Sequence, residues 1–543
     1  MTSAVSDLAV TYQIGADHSG VQTDAALTPP LAQRWTRNLG NAVSYPLIAA
    51  GKVFVTTAQG PPGVYGTYLY ALDQATGATV WQQAISGTYS FSGAAYDNGQ
   101  VFVVNFDGVL QALSAATGAL AWSVKLPTQY AFTSPPTAAN GAVYLSGAGS
   151  GGTVYAVDEV TGGLISTASV ANGDHSSPAL ANGSVFVSYA CNQAYGFGQS
   201  TLSLLWHYTT GCSGGGGKTV VSAGGRVYTR DSGGNLVLDA STGNLIGSWT
   251  PVGATALAPA VDGASVYWTN PVTHTLTAPG WTFAADAQLD TAPILLSTGT
   301  GKYVVVGSAS GALYALDAAT GSVVWQTTVA PIAQPDEQNA MQLTGLGAGQ
   351  GLLVVPAGTT VTAFAAPTPA PAVSSFTPTS GPVGTAVSIT GSHFTGATAV
   401  QFGATSATSF TVVDDSHITT SVPTGATTGA VSVTTPAGTG STSGVFTVTV
   451  PDFSISASPA SRNVVAGNSA TYTVTITPSG GFTATVALSV SGVPAGATAS
   501  FSGSTLTIGT GRSAKSGTST LTITGAGGGK SHSTTVTLQI TKK

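Results

Sequence analysis

LYALDQATGATVW at 69–81 and LYALDAATGSVVW at 313–325 are almost the same line, and LQALSAATGALAW (110–122) and VYAVDEVTGGLIS (154–166) stand between them. Each begins with a short apolar run and ends its first half in Asp or another polar residue. A Thr-Gly pair follows, then a second run in which Trp falls at a fixed offset. That last position, followed along the chain, marks Trp35, Trp81, Trp122, then Ser166 where the aromatic is missing, and on to Trp206, Trp249, Trp281 and Trp325. A self-similar period of roughly 40–45 residues is the mark of propeller blades. Between the marks a second pattern repeats, as in SYPLIAAGKVFVTT, TSPPTAANGAVYLS, SSPALANGSVFVSY and APAVDGASVYWTN. It consists of a Pro or small residue, an apolar run, a Gly turn and a β-branched strand. Each unit thus supplies four strands, with the Asp closing the third and the Trp on the fourth.

The motif has a structural reason at each position. An Asp at the end of the third strand accepts backbone N–H bonds in an Asx-type turn, Gly takes the positive φ of a tight hairpin, and Thr favours the turn flank. Trp is a large plate that packs on the neighbouring blade, where no continuous sheet joins the two. On this reading Asp73, Asp158, Asp239 and Asp317, with Trp81, Trp122 and Trp325, are structural repeat residues. Catalytic groups do not recur identically around a ring, whereas turns do.

Units begin near Pro46, Ser92, Pro135, Pro178, Thr219, Pro259, Pro293 and Met341, which predicts an all-β chain with an eight-bladed β-propeller. The short sixth unit leaves seven blades as the alternative. The eighth unit ends in TTVTAFAA (359–366) with no Trp-bearing strand after it, and the orphan AQRWTRNL (32–39) precedes the first. Pairing the two closes the ring with an N-terminal strand and removes two exposed sheet edges. These lines resemble the PQQ-type repeat of eight-bladed propellers, the family of quinoprotein dehydrogenases and noncatalytic relatives, over roughly residues 10–366. YQIGADHSGVQTD before LAQRW is similar to the N-terminal approach segment of such proteins, taken as 1–30 with the propeller at 31–366. In the fourth to sixth units, as in AYGFGQSTLSLLW and THTLTAPGW, the Asp or Thr-Gly is lost or shifted.

APTPAPAVSSF (366–376) is a Pro/Ala-rich, extended linker. Beyond it SGPVGT, GSHF, VQFG and VTTPAG resemble the IPT/TIG immunoglobulin-like domain, placed at 367–450. From 451 to 543, runs such as ATYTVTITPS, TATVALSVSG and TTVTLQI alternate with period two between turn residues. That pattern predicts a second Ig-like β-sandwich. VPAGATASFSG in this stretch resembles Ig-like modules of bacterial surface and secreted proteins. The resemblance implies spacer or interaction modules, here a two-module stalk.

Charged residues make up 6% of the 543, against roughly 25% in average soluble proteins. No run of about 18 apolar residues occurs, so no membrane-spanning helix is expected. A net charge of −6 without any Lys/Arg cluster excludes a nucleic-acid partner, because nothing is there to neutralise phosphates. MTSAVSDLAV has neither a basic n-region nor an apolar h-region, and the expectation is an extracellular or cell-surface chain given from its mature end. Cys191 and Cys212 are the only cysteines. Paired in an oxidising compartment they would contribute about 3 kcal/mol; two unpaired buried thiols are the alternative.

Quinoprotein dehydrogenases, as the resemblance implies, carry a vicinal disulfide beside the quinone, a Trp plate beneath it and a Glu/Asn/Asp set around calcium. Here the cysteines are not adjacent, no such set is legible, and the propeller's glutamates are chiefly Glu159 and Glu337. The expectation is therefore no PQQ and no catalytic residue. The histidines are scattered, with no HExxH, and neither GxSxG nor GxxxxGK[ST] occurs. What remains is the rim, where loops leading into the first strands gather on one face. Those loops carry Tyr45, Tyr89, Phe91, Tyr130, Phe132, His175 and Asp290. Aromatic plates with a few polar groups suit a surface glycan or a protein partner, and plugging the channel mouth is their alternative role. Asp336 and Glu337 are adjacent carboxylates that would hold a calcium ion with nearby carbonyls, or simply form a solvated acidic loop. The reading is a noncatalytic binding head on an Ig-like stalk, serving adhesion. One alternative is a subunit of an extracellular fibre or matrix, self-associating through the sandwiches. The other is a degenerate PQQ-dependent oxidoreductase.

Overall fold

The computed structural model describes residues 7–60, 65–211, 216–231, 234–337 and 342–542, in two compact units, Met1–Pro367 and Thr368–Lys543. Among the described residues the first unit holds eight antiparallel sheets of four strands, the seventh carrying one strand more. In the first sheet Leu47–Ala49, Lys52–Ala58, Thr67–Asp73 and Thr79–Ile85 follow in order, and the same meander recurs to the seventh, Ile294–Ser297 through Val323–Thr328. First strands are neighbours in chain order up to the seventh sheet, Val21–Thr23 links that of the seventh to Gly347–Gly349 of the eighth, and the latter lies beside Leu47–Ala49 of the first, so the ring closes. Met341, near which the eighth unit is expected to begin, lies outside the described residues. Closure follows the sequence expectation: Ala32–Asn38 pairs antiparallel with Thr360–Ala365 as the outermost strand of the eighth sheet. Among the described residues no helix is long and apolar enough to cross a membrane.

The repeated line is what joins one sheet to the next. Asp73 Oδ1 accepts from the Thr76 N–H (2.9 Å) and the Thr76 hydroxyl (2.7 Å), and Asp158, Asp239 and Asp317 do the same in their turns. Gly77 follows at φ +68°, and a Cβ there would stand 2.6 Å from the Trp35 ring of the preceding sheet. Trp35 Nε1 donates to the Gln74 carbonyl at 2.8 Å. The lock repeats with Trp81 over Gly118, Trp122 over Gly162, Trp206 over Gly243 and Trp281 over Gly321, each indole donating to a carbonyl of that turn. Glycine is therefore needed twice, for the positive φ and because the plate lies where a side chain would start. Just before Trp35, Trp81, Trp122, Trp206 and Trp325 the outer strand bulges, the pairing skipping Arg34, Val80, Ala121, Leu205 and Val324, whereas Trp281 is reached without a bulge. A bulge bends its strand, and here it aims the indole at the next sheet.

Where the aromatic is missing, the turn compensates. Ser166 faces Gly198-Gln199-Ser200-Thr201-Leu202, in which Leu202 takes the glycine position at φ +50° and is 3% exposed. Ser166 Oγ donates to the Thr201 carbonyl (2.6 Å), and Leu202 fills the cluster that includes Tyr144, Val154 and Ala156. A small outer residue is matched by a large turn residue. Trp249 departs from the pattern: its indole donates to Thr229 and meets Trp268 edge-on at 6.1 Å. Trp325 packs edge-on against Phe364 at 5.4 Å, because the eighth sheet receives its fourth strand from the N-terminus and has no such turn to offer.

The N-terminal stretch does more than approach the ring. A first strand has one unpaired edge facing the axis, and its N–H groups need acceptors. Carbonyls of the segment supply them: Ala9 for Ile48, Val10 for Tyr96, Ala16 for Leu180, Asp17 for Ser222, Ser19 for Val261, Gly20 for Leu295 and Asp7 for Gln350. At the third sheet the Thr11 hydroxyl donates to the Pro136 carbonyl instead (3.0 Å). Val21–Thr23 then adds in parallel to Ile294–Ser297. The chain thus occupies its own channel, with His18 fully buried against the Tyr12 and Pro178 carbonyls.

The second unit holds two β-sandwiches. In the first, the sheet of Ala372–Thr377, Ala386–Ser392, His417–Ser421 and Phe410–Asp414 faces one built on Gly438–Val448, Gly429–Thr435 and Ala399–Phe402. Ile389, Phe394, Phe402, Ile418 and Phe446 fill the space between. In the second, Ser469–Ser479 shows the period-two reading directly, with Ala470, Tyr472 and Val474 buried and Thr471, Thr473 and Thr475 exposed. Leu506, Ile508, Leu521, Ile523 and Leu538 complete that core.

Candidate functional site

Of the aromatics expected at the rim, three are core residues. Tyr45 is 3% exposed, lies edge-on to Tyr12 at 5.6 Å, and its hydroxyl donates to the Ala94 carbonyl (2.6 Å) and accepts from the Ala94 N–H (3.0 Å). Burial pushes its phenol above the usual tyrosine range. Phe91 is buried, and Phe132 is fully buried where Gly108 and Gly147 leave room for its ring. These rings gain more from leaving water than from facing it, so they pack the mouth of the ring.

Tyr89 and Tyr130 do reach solvent, at 44% and 66% exposure. Tyr89 meets Phe106 edge-on at 4.4 Å and Tyr65 at 5.9 Å. Tyr65, 56% exposed, was not among the sequence candidates. It sits in the loop between the second and third strands, and only the fold brings it to Tyr89. The Tyr130 ring lies over Gly149, its hydroxyl donating to the Gly149 carbonyl (3.0 Å). The result is a three-ring ridge, Tyr65–Tyr89–Phe106, exposed in its two tyrosines and half-buried at Phe106, and a separate exposed tyrosine on the next sheet.

The polar candidates go elsewhere. Burial pushes the His175 imidazole down, against the opposing pull of Asp174, Glu337 and Asp336. Asp290 stands 3.4 Å from His274 Nδ1, and burial raises its carboxyl. Glu337 is buried and paired in a fork with Arg230, Oε1 to Nη2 at 2.8 Å and Oε2 to Nη1 at 2.7 Å, and it also accepts from the Thr219 N–H (3.2 Å). Burial alone would raise this carboxyl, but Arg230 and Lys218 hold it below the usual range. The expected Asp336–Glu337 calcium pair is thereby corrected: both Glu337 oxygens are committed to a guanidinium. Among the described residues no group of three His, Cys, Asp or Glu is placed to hold a metal. Cys212 lies outside the described residues, so its pairing with Cys191 stays an expectation.

Beside the Arg230–Glu337 pair open two adjoining cavities of about 290 and 470 Å³, which share Lys218, Arg230, Thr255 and Ala256. Neither Arg230 nor Lys218 was singled out in the sequence, where each is one isolated cation. Burial and the neighbouring Arg230 push the Lys218 ammonium down, and among the described residues Lys218 forms no ion pair. No aromatic residue is among the described residues lining either cavity, so neither of these two offers the Trp plate that the dehydrogenase resemblance implies beneath a quinone.

A family profile described as outer membrane protein assembly factor BamB, of PQQ-type repeats, matches residues 65–162, 107–249, 150–278 and 268–369, together more than half of the chain. The chain belongs to this PQQ-repeat propeller family. Downstream of the PQQ-repeat propeller, an IPT/TIG domain profile matches 371–460. The PQQ-repeat propeller is similar to the solved structure of BamB from Moraxella catarrhalis, at 17% identity over 62% of this chain and 99% of that one, with a TM-score of 0.45. It is also similar to a europium-containing methanol dehydrogenase (15%, 64% and 89%, 0.48). A third likeness is to a quinohemoprotein alcohol dehydrogenase from Pseudomonas putida HK5 (15%, 68% and 83%, 0.49). No curated protein matches the chain.

Proposed function

We propose that this is a noncatalytic binding protein of the cell envelope or surface, whose propeller presents an aromatic ridge to a surface glycan while the TIG domain and second sandwich act as spacers. The observation that carries the reading is the Tyr65–Tyr89–Phe106 ridge, held ring against ring yet about half exposed in its two tyrosines. Preset aromatic faces offer stacking area to the C–H faces of sugars, and the phenol hydroxyls give them polar handles. The name of the matched family, an outer membrane assembly factor, supports the envelope setting, and it favours a protein partner on the same ridge as the second reading. A Cys191–Cys212 disulfide fits an oxidising compartment; thiol titration before and after reduction would read it directly.

A glycan panel on the full chain, repeated with Tyr65→Ala/Tyr89→Ala, tests the proposal. Losing central aromatic anchors is expected to weaken a hit by about tenfold or more. Binding that is unchanged in the double variant refutes the ridge as the site. A panel that is silent while an envelope protein is bound through the same tyrosines turns the reading to a protein partner.

A further inference from the structure

We propose that the second sandwich pairs with a second copy of itself through the edge strand Ala497–Ser502, making the full chain a weak two-fold dimer. This strand ends its sheet, with Thr505–Thr510 on one side and no strand on the other among the described residues. The phase of that ladder decides which backbone groups are left over. The Gly511 N–H donates to the Gly496 carbonyl at 2.8 Å, so Thr498, Ser500 and Ser502 exchange their bonds with Thr505–Thr510, while the N–H and C=O groups of Ala499 and Phe501 point away from it. The Ala497 N–H, which also points away, donates to the Pro494 carbonyl. Ala499 and Phe501 thus offer two donors and two acceptors in a row on an open edge.

Open edges are ordinarily blocked by a charge, a Pro or a bulge. The opposite side of this sandwich has such devices: Asp452 begins the edge strand Asp452–Ser458, Pro459 follows it, and the exposed Arg462 stands in Ser461–Val465. The side of Ala497–Ser502 has none. Its register against Thr505–Thr510 runs without a shift, the other edge strand on this side, Ala487–Ser491, reads ALSVS, and no Asp, Glu, Lys or Arg occurs from Asn463 to Gly511. Ala499, Phe501, Leu488 and Val490 are left half-buried at this margin of the core. The strand is also its own complement. A two-fold axis at Ser500 sets Ala499 opposite Phe501 of the other copy, and these are the residues with free backbone groups, so four backbone bonds form. On the core side a small residue then meets a large one, twice; on the outer side Ser500 meets Ser500 and Thr498 meets Ser502, hydroxyl against hydroxyl. A slip of one residue would turn core-facing side chains to the outer face. So short a strand pair falls below the roughly 1,200 Å² of a standard interface, which makes the dimer a dissociating one, and the two-fold contact closes it against further growth.

Sedimentation velocity on the full chain, over a hundredfold range of concentration, is expected to show monomer passing to dimer. Ser500→Lys sets two like charges face to face across the axis and should hold the chain monomeric, whereas Ser500→Thr should keep the dimer. Ser500→Cys tests the register. Residues in such a non-hydrogen-bonded pair lie about 4.5 Å apart at Cα, within disulfide reach, so mild oxidation should give a cross-linked dimer above the background of the wild-type chain. Thr498→Cys, which faces Ser502 of the other copy, should not cross-link. Thermal unfolding of each variant separates lost pairing from lost fold. The proposal is overturned by a wild type that stays monomeric throughout, by a dimer that survives Ser500→Lys, by growth beyond the dimer, or by Thr498→Cys cross-linking as readily as Ser500→Cys.

Discussion

Replacing Leu202 by Gly should destabilise the propeller, and adding Ser166→Trp should return most of the loss. Leu202 is 3% exposed in the position that Gly77, Gly118, Gly162, Gly243 and Gly321 hold in other turns. Deleting a buried Leu side chain costs about 2–5 kcal/mol, of which leaving φ +50° returns about 1–2 kcal/mol for a non-glycine residue. The net loss is about 0–4 kcal/mol, centred near 2 kcal/mol. Ser166→Trp alone should also destabilise, by about 1–3 kcal/mol of overpacking. In the intact locks a Cβ at the glycine would already stand 2.6–2.7 Å from the indole, so a whole leucine cannot share the space. Together the substitutions recreate the Trp–Gly lock, and the double variant should lie within about 1 kcal/mol of wild type, a coupling near the upper end for contacting residues. Urea unfolding of the full chain, followed by circular dichroism through the propeller transition, gives the midpoints from which the cycle is built. A double variant that loses the sum of the two single losses would refute the size exchange between neighbouring sheets.

Two further outcomes follow from buried charge. Glu337→Gln should cost about 3–5 kcal/mol, because it leaves Arg230 buried without its counter-charge, whereas removing both as Arg230→Met/Glu337→Leu should cost much less; thermal unfolding of the three proteins checks this. Burial beside Asp97 pushes the Glu159 carboxyl up to about 7, although Asn98 donates to it. Between its ordinary value of 4.5 and about 7 the folded chain holds the more protons, so stability falls as pH rises through that window and levels off above it. Glu159→Gln should flatten this slope and be the more stable protein at the alkaline end. An unchanged slope would show that the carboxyl titrates normally.

The repeat, the Asp-centred turns and the N-terminal closing strand were legible in the sequence because each is a local matter. The Asp73 to Thr76 bonds span three residues, and an outer strand without a unit points to a unit without an outer strand. The rest depended on partners far away in the chain. Tyr45, Phe91 and Phe132 are on the loops where the sequence places them, but their depth is set by Tyr12, Ala94, Gly108 and Gly147. Glu337 suggested a cation site with its neighbour Asp336, yet its partner is Arg230, 107 positions away. Leu202 looks like a broken motif until it is set against Ser166 on the preceding sheet. Tyr65 joins Tyr89 only when two loops meet. Turn chemistry and strand period act over a few residues and are written in order along the chain. Burial and charge pairing are decided by whatever the closed ring brings alongside, and no short window of sequence holds both partners.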